Sequence, residues 1–79
     1  MVTTSDTRLG RALADGLLRH YTSWRRESDA VKLAYEGWTS SDTANRELAY
    51  ARYLAALDQE ELAAHRYRDH VAWVERIAR

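Results

Sequence analysis

Glu61, His65 and Asp69 follow one another at intervals of four residues, which on a helix stacks carboxylate, imidazole and carboxylate along one face. Such donors, converging between helices, are how helical bundles hold transition-metal ions. If the chain folds back near its middle, His20 and Tyr21 come close to Glu60 and Glu61. The di-iron pattern, however, wants Glu-x-x-His, and here three residues separate Glu61 from His65. Only one histidine per helix reaches this layer. His20, Glu61, His65 and Asp69 are thus the candidate ligands, but the expected role of the stripe is solvated (i, i+4) charge pairing. No metal and no cofactor are expected.

Covalent catalysis has little to work with. The chain has no cysteine, no Gly-x-Ser-x-Gly element and no serine paired with a histidine at a strand-to-helix turn. The three glycines are isolated, so no loop can cradle a phosphate. A non-enzyme is expected. Arg25-Arg26 beside Trp24, and Arg66 and Arg68 around Tyr67, would suit a nucleic acid, but Glu27, Asp29 and Asp69 interrupt them. Twelve basic and twelve acidic groups cancel, leaving no counterion-release drive. Nucleic-acid binding is the alternative, not the expectation.

The elements that must position these groups are helices. Seventy-nine residues make one domain, with no proline, 46% hydrophobic and 30% charged residues. A domain this small, with no cysteine to staple it, draws only ~3–5 kcal/mol from a single core. The one turn-like cluster is Thr39–Thr43, with Gly37 just before it. An all-α antiparallel hairpin follows, with helices over about 7–38 and 42–78 and a flexible segment 1–6. Ser5 or Thr7 can cap the first helix and Ser41 or Asp42 the second, with Asp42–Arg46 and Glu75–Arg79 as ion pairs. Gly10, Gly16 and Ser28-Asp29 are the weak points of the first helix. A break near 28 would make a three-helix bundle, the alternative fold. Asp58–Glu61 reads as polar surface on a continuous helix.

Leu17, Trp24, Val31 and Trp38 recur every seven residues, joined by Leu13, Tyr21 and Tyr35. The second half repeats the pattern with Tyr50, Leu57, Ala64, Val71 and Ala78, joined by Tyr53, Tyr67 and Val74. A reversal near 40–41 pairs residues whose numbers add to about 81, setting Trp24 against Leu57, Leu17 against Ala64 and Gly10 against Val71. A second apolar row, Leu48, Ala55 and Leu62 with Trp73 and Ile77 nearby, lies off this seam, as do Leu18 and Leu33. Two copies burying that row would form a four-helix bundle. A homodimer is expected, with a larger protein as a further partner.

The alanine-rich stretch Ala49–Ala64, with Ala34-Tyr35 and Trp38 ahead of it, resembles small Ala/Arg-rich helical proteins of actinobacteria, a likeness that carries no assigned activity. The overall shape is similar to the secreted helical hairpins with a Trp-x-Gly turn. Here the order is reversed, Gly37-Trp38, and Tyr67 is followed four residues on by Val71 where that family's export signal has an acidic residue. No apolar run approaches the ~20 residues of a membrane span, and Met1–Asp6 is no signal peptide. A cytoplasmic interaction or scaffold protein is the expectation.

Overall fold

Alanine, leucine and arginine favour helix along both halves of the chain, and a run of short polar side chains, Thr39–Thr43, falls at the midpoint. The computed structural model describes residues 4–78 as two helices, α1 (Thr4–Thr39) and α2 (Arg46–Ala78), packed antiparallel as a hairpin. No strand occurs among the described residues. Because α1 begins at Thr4, neither Ser5 nor Thr7 stands outside it as an N-cap, and Thr4–Asp6 are helical; residues 1–3 lie outside the described residues. Helix continues through Gly10, Gly16 and Ser28-Asp29, which removes the three-helix alternative. Each glycine costs only about 1 kcal/mol in a helix, and the seam runs past all three points in phase. α2 likewise passes unbroken through Asp58–Glu61.

The turn closes with side-chain hydrogen bonds. The Glu36 carbonyl accepts from Ser40 N (3.0 Å), Ser40 Oγ (2.7 Å) and Thr39 Oγ1 (3.1 Å). Ser41 Oγ donates to the Trp38 carbonyl at 2.7 Å, so Ser41 finishes α1 instead of starting α2. Asp42 Oδ1 accepts from both Asn45 N and Asn45 Nδ2 at 2.9 Å, capping a single turn ahead of α2. The Asn45 carbonyl then accepts from Ala49 N at 3.0 Å, which makes Asn45 the residue that enters the helix. Asp42 is committed to Asn45 and forms no ion pair with Arg46; Arg79 lies outside the described residues.

The seam follows the heptad. In α1 the expected Leu13, Leu17, Trp24, Val31 and Trp38 are shielded, joined by His20, Glu27 and Ala34, whereas Tyr21 and Tyr35, also expected in the seam, are exposed. In α2 the shielded positions centre on Tyr53, Glu60, Tyr67 and Val74, alternating with Ala49, Ala56, Ala63 and His70. Tyr53, Tyr67 and Val74 thus hold their expected places, while the heptad row of Tyr50, Leu57, Ala64, Val71 and Ala78 is one position off centre and flanks the seam, with Tyr50 and Ala78 exposed. The register also differs. Residues that meet across the seam have numbers adding to between 84 and 91, about one heptad beyond the expected 81. Trp24 therefore stands level with Ala63, not Leu57, and nothing lies within 4 Å of a side chain built on Gly10. A whole-heptad shift keeps the same faces together while bringing rings onto rings.

The result is thin and long, 66 × 17 × 11 Å. Its radius of gyration is 18.3 Å, against about 12 Å for a compact chain of this length. Among the described residues only Gly16 and Ala63 are buried. Its helices are too polar to cross a membrane: none of the described residues belongs to a span long and apolar enough.

Candidate functional site: the two faces of the hairpin

The seam divides the surface into two unlike sides. On one, large rings carry the contact. Trp24 stacks on Tyr67 (centroids 5.8 Å apart, planes at 15°), with Tyr21 edge-on to Trp24 at 6.0 Å and 5.7 Å from Tyr67. Trp38 repeats this on Tyr53 (5.4 Å, 15°), with Tyr35 edge-on to Trp38 at 6.0 Å and 5.6 Å from Tyr53. The two triads lie two heptads apart on both helices. Their sequence signature is Tyr21-Thr-Ser-Trp24 and Tyr35-Glu-Gly-Trp38, a repeat that the heptad analysis passed over because it weighed each ring singly. Tyr50 extends the second triad, 4.8 Å from Trp38. Offset and edge-on ring pairs each add about 0.5–1.5 kcal/mol beyond area burial. Trp24 Nε1 donates to Glu60 Oε1 at 2.9 Å, giving both half-shielded polar groups a partner.

On the other side glycines and alanines stand among the larger groups. Gly16 is buried beneath the His70 imidazole, whose Nε2 would stand 2.6 Å from a Cβ at that position. The His20 ring lies against His70 at 4.7 Å, and Trp73 packs on His70 at 5.5 Å. His70 Nε2 is buried without a hydrogen-bond partner. Nearer the turn, Ala34, Gly37 and Ala49 floor an open groove of about 440 Å³ walled by Leu33, Leu48 and Arg52. Leu33 and Leu48 are among the most exposed large apolar residues, at 69% and 55%.

The metal candidates do not converge. His65 Nε2 stands 3.9 Å from Glu61 Oε1 on the exposed outer surface, the only ion pair among the described residues. Asp69 is exposed further along α2, while His20 is turned into the seam against His70. No group of three potential ligands forms among the described residues. The four arginines weighed for nucleic acid are all exposed but divided: Arg26 and Arg66 lie toward the groove side, Arg25 and Arg68 on the outer edges of the ring side. They make no single patch. Leu48, Ala55 and Leu62 are exposed on the groove side of α2, with Trp73 beside them and 43% open; Ile77, 40% exposed, falls on the seam line near the end of α2.

No family model, curated protein or solved structure matches the chain.

Proposed function

We propose that this chain is a non-enzymatic, self-associating helical hairpin that works as a protein-interaction element. One observation carries the reading: the hairpin leaves its apolar surface open. Its accessible area is 6365 Å², about 1,400 Å² above the roughly 4,900 Å² of a compact monomer of 9.2 kDa. That surplus per chain exceeds the ~800 Å² per partner of a standard interface and falls in the range of obligate dimers. Leu18, Leu33, Leu48, Leu54 and Leu62 are all more than 40% exposed, and scattered burial of even half of them is worth several kcal/mol at roughly 1.5–3 kcal/mol each.

Self-association occupies one side and leaves the other for a larger protein. On the groove side Arg19, Arg26, Arg52 and Arg66 stand among the leucines with Asp69 the one acidic residue in their own rows and Asp15 and Asp29 in the row behind, so that side favours an acidic partner helix. Sedimentation equilibrium tests the reading. A dimer at micromolar concentration is expected, with a melting temperature that rises with protein concentration. A folded monomer at high micromolar concentration would remove it.

A further inference from the structure

The hairpin's own register selects which side pairs and how. This inference rests on the self-association reading above and makes it specific: we infer that a second copy sits on the ring side, related by a two-fold axis parallel to the helices, so that α1 of each copy lies against α2 of the other and both turns lie at one end.

The ring side is flanked by rows without charge. On α1 they are Ala14, Tyr21, Ser28 and Tyr35; on α2, Tyr50, Leu57, Ala64 and Val71. If two copies met on the groove side under such an axis, only Arg19 would gain an opposite charge, Asp69, while Arg26, Arg52 and Arg66 would be set level with Leu62, Gly37 and Ser23 and be covered without a partner. Beyond the uncharged rows lie the outer edges. The α1 edge is basic, with Arg11, Arg25 and Lys32; the α2 edge is acidic, with Glu47, Glu61 and Glu75, broken by Arg68. All seven residues are exposed. Within one hairpin these edges are on opposite margins and cannot reach each other. A two-fold axis perpendicular to the helices would lay α1 on α1 and bring basic edge to basic edge. An axis parallel to them lays basic edge on acidic edge, twice.

Such an axis permits no sliding, so the levels across the new interface are inherited from the hairpin. The ring-side contacts Tyr21–Tyr67, Tyr35–Tyr53 and Trp38–Tyr50 each add to 88, which puts Arg11 level with the second copy's Glu75, and Arg25 level with its Glu61, each to within two residues. Lys32 falls level with Leu54 and Arg68 with Leu18, where long aliphatic stems cover leucine. In the middle rows Tyr21 comes near Ala64, Ser28 near Leu57 and Ala14 near Val71, large against small, with Tyr35 and Tyr50 ring against ring at the turn end. Nothing in the hairpin's internal packing requires that agreement.

Since the chain has no cysteine, the geometry can be read by cross-linking. Arg25→Cys protein mixed with Glu61→Cys protein and treated with a short bismaleimide should give a covalent dimer, while Arg25→Cys protein alone should give none. Cross-linking of Arg25→Cys protein to itself would overturn the arrangement and leave self-association standing. So would a Leu48→Glu/Leu62→Glu variant that stays helical but sediments as a monomer, because those residues lie on the groove side. A wild-type chain that sediments as a monomer throughout overturns both.

Discussion

A methyl group at position 16 would stand 2.6 Å from His70 Nε2, while nothing lies within 4 Å of one at position 10. Glycine-to-alanine changes inside a helix ordinarily gain about 1 kcal/mol. Gly10→Ala should show part of that gain in thermal unfolding. Gly16→Ala should lose stability instead, because the imidazole would have to move from the added methyl and give up its contacts with His20 and Trp73. Adding His70→Ala should return the gain, and a double-mutant cycle reads the coupling directly. Trp24 is the other decisive residue. Trp24→Ala removes the stack on Tyr67 and the bond to Glu60 together, and should cost about 3 kcal/mol, a large part of the stability of so small a domain. Trp24→Phe keeps a ring but leaves Glu60 without its donor, for a loss of about 1–3 kcal/mol. Urea unfolding of the pair checks both, and a wild-type midpoint for Trp24→Ala would refute the stacked layer.

At the scale of elements, the turn is held by few groups, and Asp42 bonds twice to Asn45. Asp42→Ala should therefore cost about 1 kcal/mol, read as a lower urea midpoint at unchanged slope. Both helices and the turn between them were legible in the sequence, since no proline intervenes and a cluster of short polar residues, Thr39–Thr43, falls at the midpoint. The α1 row was legible because its seam residues, Leu17, Trp24, Val31 and Trp38, are also its large apolar ones. The α2 row was misplaced by one position for the opposite reason. Its seam alternates alanines with Tyr53, Glu60 and Tyr67, so the strongest apolar signal, Leu57 and Val71, comes from the flank. The register was misjudged because a tight reversal is the simplest reading of a turn cluster, while the rings stack only with six residues, 40–45, left as connection. Of the candidate surface, the open leucine row was visible in the heptad. The ring side was hidden because Tyr21, Tyr35 and Tyr50 read as core until their exposure separates them from it.

For the whole molecule, length governs every bulk property. A second copy stacked across the 11 Å dimension adds a layer roughly 10 Å away, which barely moves mass from the centre. X-ray scattering should then show twice the chain mass with a radius of gyration near 19 Å, close to the 18.3 Å of one hairpin. An end-to-end pair of 66 Å rods would give a far larger value and exclude the stacked form.

The doubled ring triad acts as a reading frame for the two helices. A slip of one heptad in either direction would set Trp24 opposite Glu60 or Val74 and Trp38 opposite Arg46 or Glu60, and both stacks vanish. A slip of two heptads recovers one stack at most, because the other tryptophan runs past the partner helix. Alignment is thus written in the rings and not in the length of the connection. Inserting a few glycine and serine residues between Thr43 and Ala44 should leave the aromatic near-ultraviolet dichroism unchanged, with stability falling only by the slow logarithmic cost of a longer loop, about 0.6 kcal/mol per doubling. A dichroism spectrum that shifts with each added residue would mean that the turn, not the rings, keeps the frame.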